Sequence, residues 1–251
     1  MPARAGSLIA LALAALVAAG GAHAQERTQP VVVELFTSQG CSSCPPADSL
    51  LSELIRDKPG LIALTLPVDY WDYIGWKDTL ASPAFTARQK AYAAIRGDHH
   101  TYTPQAVING VTHVVGSDRE EIEAAARSAF GKAGALSVPL AVHPGGKSLS
   151  IDLGGAPAGA AREGGFWLFQ IARERTVAIG RGENVGNTVT YANVVRHMKK
   201  IGDWTGTPIH FEIPGEDLAS PDSDSWVLIL QAGSESRPGA ILAAVEGDHI
   251  R

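Results

Sequence analysis

The residues with the clearest capacity for chemistry are two cysteines separated by two serines. Cys41 and Cys44 are the only cysteines in the 251-residue sequence. A C-x-x-C pair that follows a strand and begins a helix, within a β-α-β pattern, is typical of redox-active dithiols. Free N–H groups and the positive end of the helix dipole favour a thiolate at such a position. We therefore predict that Cys41 is the more exposed nucleophile and that Cys44, one turn deeper, resolves the mixed disulfide.

The N-terminal segment predicts export. Arg4 precedes the apolar residues 8–18, and the Ala-His-Ala at residues 22–24 fits a cleavage site. We interpret residues 1–24 as a signal peptide, so the mature protein is expected to be periplasmic or secreted. Disulfides persist in such compartments. A bridge between positions this close encloses almost no chain and adds little stability, so a chemical role explains the pair better than a structural one.

The overall composition argues against several classes of protein. The formal net charge of -5 differs from the basic face of a nucleic-acid-binding protein, so no nucleic-acid partner is predicted. Beyond the signal peptide no apolar stretch is long enough for a transmembrane helix, so no membrane span is expected in the mature chain. Two cysteines are too few for a multi-disulfide framework or for a structural zinc site made of cysteines alone.

The elements that must position the cysteines follow from hydrophobic periodicity and turn signals in residues 30–131. The apolar spacing after Cys44 predicts one buried helical face. Asn109-Gly110 predicts a tight hairpin, and Ser117 with Glu120 predicts a capping box. The order is β-α-β-α-β-β-α, and its first two strands should be parallel. The predicted strands cover residues 30–36, 61–68, 103–109 and 112–115, and the helices begin near residues 44, 82 and 117.

Residues 131–134 are interpreted as a domain boundary, because the pattern then changes to short apolar strands separated by turns rich in Gly, Pro and Asp. Seven such strands predict a mainly antiparallel, sandwich-like β domain over residues 135–251. The segment Tyr191–Lys200 fits both a helix and a strand. Gly-Glu-Asn-Val-Gly at residues 182–186 predicts a turn with a buried or bridging polar network. The predicted strands are Leu136–Val142, Leu149–Leu153, Phe166–Ile171, Thr176–Ile179, Ile209–Ile213, Trp226–Gln231 and Ile241–Glu246.

Several strings of residues resemble a known family. F-T-S-Q-G-C-S-S-C-P-P-A-D, Y-W-D-Y-I-G-W-K-D, Y-T-P-Q-A-V-I-N-G and G-E-N-V-G are similar to secreted bacterial proteins catalogued only as a domain of unknown function. Residues 30–131 also resemble the thioredoxin superfamily, with a small helical insertion around residues 70–96. The resemblance implies a thioredoxin-like α/β domain followed by the β-rich domain, together with an exported location. It implies no established substrate.

The superfamily resemblance bears on four further positions. Thr103-Pro104 matches the pair whose cis proline faces the redox disulfide. Glu34 lies near the position where many relatives hold a buried acid beneath the second cysteine, which implies a proton acceptor for Cys44. A solvated or salt-bridged Glu34 is the alternative. Gly40 stands where relatives carry an aromatic residue, a departure that bears on partner recognition.

A dense group of aromatic residues lies between the second predicted strand and the second predicted helix. Tyr70, Trp71, Tyr73 and Trp76 fall within seven positions of the sequence. Flat aromatic surfaces are suited to binding peptides and other ligands, so we predict that Tyr70, Trp71 and Trp76, together with Tyr102, bind substrate beside the cysteines. The alternative is that the group packs the insertion onto the core.

Three functional hypotheses follow from these features. The first is a thiol–disulfide oxidoreductase that acts on thiol- or disulfide-containing proteins or small molecules and needs no organic cofactor. The second is a copper-binding metallochaperone of the same fold, with Cys41, Cys44, His99 and His100 as candidate ligands. The third is a binding module in which the β-rich domain contacts a partner and the cysteine pair is incidental.

Overall fold

The computed structural model describes residues 31–249, so the predicted signal peptide at residues 1–24 lies outside the described range. Within that range, no helix has both the length and the apolar character needed to cross a membrane. The elements, in chain order, are β1 (Val31–Thr37), α1 (Pro45–Asp57), β2 (Leu61–Pro67), α2 (Pro83–Arg96), β3 (Gln105–Ile108), β4 (Thr112–Val115), α3 (Arg119–Ala129), β5 (Leu140–Gly145), β6 (Ser148–Leu153), β7 (Gly164–Ala178), β8 (Thr188–Trp204), β9 (Ile209–Pro214), α4 (Gly215–Leu218), β10 (Ser225–Ser234) and β11 (Arg237–Asp248).

The protein has a mixed α/β fold built on a large, mostly antiparallel sheet. The eight strands of this sheet are ordered β11-β10-β7-β8-β2-β1-β3-β4, and β5, β6 and β9 form a second sheet. β1 and β2 are parallel and are connected through α1, as predicted, with Val31 opposite Leu61. β3 and β4 form the predicted hairpin around Asn109 and Gly110, which both have positive φ. The cysteines therefore follow a strand in the interior of the large sheet.

The strands that follow α3 are divided between the two sheets. β7, β8, β10 and β11 extend the large sheet, because β8 pairs with β2 at Thr65 and Val194. The Thr65 hydroxyl also donates to the Ala192 carbonyl at 2.6 Å. β5, β6 and β9 pack on these strands and enclose a core that includes Leu149, Ile151, Leu168, Trp226, Leu228 and Leu242. Residues 135–249 thus contain two packed sheets, and the larger one is continuous with the strands of residues 31–131.

The segment Tyr191–Lys200 is part of strand β8, which decides between the two structures that its sequence allowed. β-branched residues such as Val194 and Val195 suit a strand, where they pack on the pleated surface. β8 pairs with β7 along nearly its whole length, from Thr188 opposite Ala178 to Trp204 opposite Gly164. The same pairing joins the two short strands predicted between residues 166 and 179 into one long β7.

Two helix starts test the predicted capping signals. α2 begins after Ser82, whose hydroxyl accepts from the Ala84 N–H at 3.3 Å, as predicted. At α3 the prediction is wrong by one residue, because Asp118 rather than Ser117 is the N-cap and accepts from the Glu121 N–H at 2.9 Å. Aspartate and serine cap helices about equally well, so the local sequence did not separate the two registers.

The side chains of β1 alternate between two differently covered faces of the sheet. Val33 and Leu35 share a core with α1 and α3. Val32 and Phe36 share the opposite core with residues of α2. Because side chains alternate along a strand, Glu34 lies on the α2 face and Thr37 lies on the α1 face. This alternation decides which residues are near the cysteines.

Candidate active site

Cys41 and Cys44 lie between β1 and α1 and form a disulfide bond. Their Cα atoms are 5.4 Å apart. Cys44 is the N-cap residue of α1, and its N–H donates to the Cys41 carbonyl at 3.1 Å. Pro45 and Pro46 occupy the first turn, where a missing N–H removes no hydrogen bond of the helix. The pair therefore lies at the positive end of the helix dipole, which favours a thiolate after reduction.

Both cysteines are buried, and the predicted difference in exposure between them is marginal. Cys41 is 1% exposed and Cys44 is 0% exposed. The exposed part of the motif is Ser42 and Ser43, and the Ser43 hydroxyl lies 3.4 Å from the Cys41 sulfur. A thiol can exchange only with a sulfur that it reaches. The residues that cover Cys41 therefore control the reactivity of this site.

Trp71 connects two loops near the disulfide. The cysteine loop is residues 38–44, between β1 and α1, and the proline loop contains Thr103 and Pro104. Its indole N–H donates to the Thr103 hydroxyl at 2.8 Å. The Thr103-Pro104 peptide bond is cis. On its other side, the Trp71 Cβ would lie 3.0 Å from a Cβ placed on Gly40. The glycine before Cys41 thus makes room for an aromatic residue that comes from another segment.

Gln39 connects the cysteine loop to the aromatic insertion, the segment between β2 and α2 that contains Tyr70, Trp71, Tyr73 and Trp76. Its N–H donates to Asp78 at 2.8 Å, and its side-chain oxygen accepts from the Trp76 indole at 2.7 Å. Gln39 and Asp78 are buried, and burial raises the pKa of the Asp78 carboxyl. Trp76 is therefore part of the wall around the cysteine loop, and its indole N–H is already occupied by Gln39.

Asn184 holds the cysteine loop from the opposite side. It lies in the turn between β7 and β8, within the predicted Gly-Glu-Asn-Val-Gly segment. Its side-chain amide donates to the carbonyls of Gln39 and Cys41, each at 2.9 Å. This confirms the polar network predicted for the turn, and it shows that the network's partner is the cysteine loop itself.

Glu34 does not lie beneath Cys44. Its side chain is on the α2 face of the sheet, where the Arg88 guanidinium donates to one carboxylate oxygen and the Tyr92 hydroxyl donates to the other at 2.6 Å. Gln231 completes the network, because it accepts from Arg88 at 2.9 Å and donates to Tyr92 at 2.7 Å. The salt-bridged alternative therefore describes Glu34, and its oxygens are already engaged.

The buried acid on the cysteine side of the sheet is Asp48. It lies four residues after Cys44, on the same face of α1, and its N–H donates to the Cys44 carbonyl at 3.1 Å. Within residues 31–249 neither carboxyl oxygen has a hydrogen-bond partner of good geometry. Burial raises the pKa of Asp48 well above its ordinary value, the neighbouring Thr37 hydroxyl offsets part of this rise, and the charge of Asp78 adds to it.

The other predicted substrate-binding residues, Tyr70 and Tyr102, have different surroundings. Tyr70 packs against the α2-side core, with its ring 6.1 Å from that of Trp71. The Tyr102 hydroxyl is 2.8 Å from Nδ1 of His113. Trp71 is thus the aromatic residue that contacts both the cysteine loop and the proline loop.

The ligands of the copper hypothesis are not assembled. The sulfurs of Cys41 and Cys44 are bonded to each other. His99 and His100 are exposed, and the His100 ring lies 5.9 Å from that of Tyr102. Among residues 31–249, no three His, Cys, Asp or Glu side chains form a group able to hold a metal ion.

Sequence reasoning missed two residues of this site, Asp48 and Asn184. Asp48 interrupts the apolar face of α1 between Ala47 and Leu51, and a charged residue on a face that must be buried is a detectable signal. Asn184 carries no comparable signal, because its role depends on a contact over 143 positions of sequence. Only the tertiary structure brings this turn to the cysteines.

The fold and the site define an α/β protein with a buried Cys-x-x-C disulfide at the end of a sheet strand. Residues 32–231 match a family described as "Protein of unknown function (DUF1223)". The chain belongs to this family, as its motifs predicted. No curated protein matches it.

Two solved structures are similar to the chain. A crystal structure of a protein from Agrobacterium tumefaciens is 34% identical with a TM-score of 0.74, and the match covers 86% of this chain and 92% of that chain. HBP35 of Porphyromonas gingivalis is 12% identical with a TM-score of 0.55, and the match covers 88% of this chain and 75% of that chain. At 12% identity the second likeness concerns the fold alone.

Proposed function

We propose that this protein is an exported thiol–disulfide oxidoreductase with a thioredoxin-like arrangement in residues 30–131. One observation carries the proposal: three chemically suited features meet at one end of the large sheet. They are the Cys41–Cys44 disulfide at the start of α1, the cis Thr103-Pro104 peptide linked to it through Trp71, and the unpaired Asp48 one turn beyond Cys44. Export rests on the predicted signal peptide.

The reaction is a two-electron exchange between thiols and the Cys41–Cys44 bond. A substrate thiolate attacks the Cys41 sulfur, a new sulfur–sulfur bond forms, and Cys44 leaves as a thiolate that takes up a proton. A second substrate thiolate then attacks the substrate sulfur of the mixed disulfide and releases Cys41. The protein gains two electrons, and two substrate thiols become one disulfide. The reverse sequence reduces a disulfide with the same residues.

Asp48 is the proton donor for Cys44 in this scheme. Its raised pKa keeps the carboxyl protonated to higher pH than an exposed aspartate, so a proton is available when Cys44 leaves. In the reverse direction the carboxylate accepts that proton. Glu34 is unsuited to the role, because the sheet lies between it and Cys44 and because Arg88 and Tyr92 occupy its oxygens.

The aromatic insertion supplies the surface beside the disulfide. Trp71 bridges the cysteine and proline loops, and the Tyr73 ring stacks on it at 6.3 Å. Tyr73 is 80% exposed, so its ring is available for contact with a substrate. We assign Trp71 to positioning of Thr103-Pro104 and Tyr73 to substrate contact.

Trapping tests the proposal. A Cys44→Ala variant, expressed with its own signal peptide, is expected to accumulate mixed disulfides through Cys41, detected as added mass on the intact protein by non-reducing mass spectrometry. A Cys41→Ala/Cys44→Ala variant is the matched control and should form none. The proposal is overturned if nothing is trapped and the purified wild-type disulfide exchanges with no thiol.

A second experiment isolates the role of Asp48. Asp48→Asn is expected to slow exchange by about a hundredfold, the lower end of what general acid catalysis contributes, and to flatten its dependence on pH. Asp57→Asn is the matched control, since Asp57 is exposed at the end of the same helix. Equal pH profiles for the wild type and the Asp48 variant would remove Asp48 from the reaction.

A further inference from the structure

The turn between β7 and β8 packs against the backbone at Cys41 and comes from the far half of the chain. Backbone bonds of 2.9 Å from Ile179 N–H to Asn187 and from Gly186 N–H to Ile179 close this turn. Asn184 is only 5% exposed, although its neighbours Glu183 and Val185 are exposed. A buried polar side chain in an otherwise exposed turn indicates that the turn is held against the structure below it.

Asn184 contacts the backbone on both sides of Gly40. The Asn184 amide donates to the carbonyl of Gln39 and to the carbonyl of Cys41, each at 2.9 Å. Both N–H groups of the amide are therefore used to fasten the turn to the cysteine loop. Removing this side chain leaves two buried carbonyls without these bonds, so the closed position of the turn depends strongly on Asn184.

Trp76 is the second support of the same turn. A Cβ placed on Gly180 would lie 3.1 Å from the Trp76 ring, and one on Gly182 would lie 3.3 Å from the Trp76 Cβ. The Trp76 indole also donates to Gln39 at 2.7 Å. Because these positions are glycines, the turn can pack closely against Trp76. The turn is therefore held by the hydrogen bonds of Asn184 and by packing against the Trp76 side chain.

We propose that the β7–β8 turn is a gate that restricts Cys41 to low-molecular-weight thiols, and that Asn184 is the specificity-determining residue that holds it closed. This inference rests on the proposed oxidoreductase function. A small thiol reaches the Cys41 sulfur once the Asn184 amide moves aside. A polypeptide thiol brings its backbone with it, so the whole turn must leave Trp76. The gate thus acts on the first step, in which the substrate thiolate bonds to Cys41 and Cys44 leaves as a thiolate and takes a proton.

Two thiol probes of different size test the gate. Dithiothreitol and reduced, unfolded ribonuclease A are reacted with the oxidised full chain, and the free thiols of Cys41 and Cys44 are counted by alkylation and mass spectrometry. Each rate is normalised to that of the same probe with a small model disulfide. For the wild type, the normalised rate with dithiothreitol is expected to exceed the rate with the protein thiol by at least about tenfold, the factor that one net hydrogen bond supports.

The variants act on the size preference. Asn184→Ala and Asn184→Asp each remove donors to the two carbonyls and are expected to reduce the preference about tenfold, mainly by accelerating the protein thiol. Asn187→Ala makes the same change at an exposed position of the same turn and should match the wild type. Two different Asn184 variants are used so that the test still stands if one of them does not fold.

The outcomes separate the gate from the proposed function. A wild type that reacts equally well with both probes, or a preference that neither Asn184 variant changes, overturns the gate while Cys41-dependent exchange persists. No exchange with either probe in any variant overturns the oxidoreductase proposal and the gate together.

Discussion

Two of the buried carboxylic acids, Glu34 and Asp48, lie on opposite faces of the sheet and have different surroundings. Glu34 is paired with Arg88 and Tyr92 on the α2 face of the sheet. Asp48 lies on the α1 face and has no hydrogen-bond partner of good geometry within the described range. A buried charge is tolerated only when it is paired, and an unpaired group adjusts by shifting its pKa.

This difference in pairing distinguishes an acid that is part of a structural network, Glu34, from an acid that has no such partners among the described residues, Asp48. Around Glu34, burial alone would lower the pKa of Arg88, but Glu34 and Tyr92 together outweigh burial and raise it. Gln231 extends this network to β10, so it joins the first strand to the C-terminal half of the sheet. Around Asp48, burial dominates and raises the pKa of the acid itself. One acid joins the two halves of the sheet, and the other has a raised pKa on the side of the sheet where the cysteines lie.

Removing Arg88 is expected to have the largest effect on stability of the changes that test this comparison. Arg88→Ala leaves Glu34 as an uncompensated buried charge and is expected to lower the free energy of unfolding by about 3–5 kcal/mol, measured by urea denaturation. The double variant Glu34→Leu/Arg88→Met replaces the whole pair by apolar residues and should be much less destabilised. Comparable losses in both variants would show that the ion pair is not what makes Arg88 important.

Tyr92 tests the neutral member of the same network. Tyr92→Phe removes the hydroxyl that donates to Glu34 and accepts from Gln231, and it is expected to cost about 1–3 kcal/mol. Burial also raises the pKa of this tyrosine, so the hydroxyl keeps its proton at ordinary pH. Tyr73→Phe is the matched control at an exposed position. Similar denaturation midpoints for the two variants would contradict the proposed network.

Asp48 is expected to have a smaller effect on stability, but one with a characteristic dependence on pH. Its folded-state pKa is raised, so the stability it contributes is complete below its unfolded pKa of about 4 and is lost as pH rises toward the folded pKa. Unfolding free energies measured across this window should therefore fall with pH in the wild type and fall less in Asp48→Asn. Asp78, whose pKa is also raised, leaves part of the slope in the variant. Parallel curves would refute the assignment.

The group of polar residues around Asp222 lies at the surface, and changing it is expected to have the smallest effect on stability. It therefore provides a contrast with the buried acids. Burial alone would raise the pKa of Asp222, but hydrogen bonds from Arg196, Ser220 and His197 lower it to about 2. The stability that it contributes is present above about pH 4 and is lost as pH falls toward 2. Asp222→Asn should change the acid limb of the unfolding curve slightly and leave neutral stability within about 1 kcal/mol. A loss as large as that of Arg88→Ala would mean that burial does not govern these effects.

Much of the fold was accessible from local patterns. The β-α-β start, the Ser82 cap and the Asn109-Gly110 hairpin agree with the structure, because each depends on residues close in the chain. The long strand β8 was ambiguous, since Tyr191–Lys200 carries both helical spacing and β-branched residues, and only pairing with β7 selects the strand. The Ser117 cap failed because its neighbour Asp118 caps equally well.

The amino-acid sequence by itself determined the cysteine pair, its place at the start of a helix, the proline loop and the family. Those features depend on residue type and short spacing. Tertiary structure decided which buried acid lies on the cysteine side of the sheet, because the alternation of β1 turns Glu34 to the opposite face, and it decided which segments pack against the cysteines. The contacts of Trp71, Asp48 and Asn184 form only when distant segments pack together, and no local pattern specifies such packing.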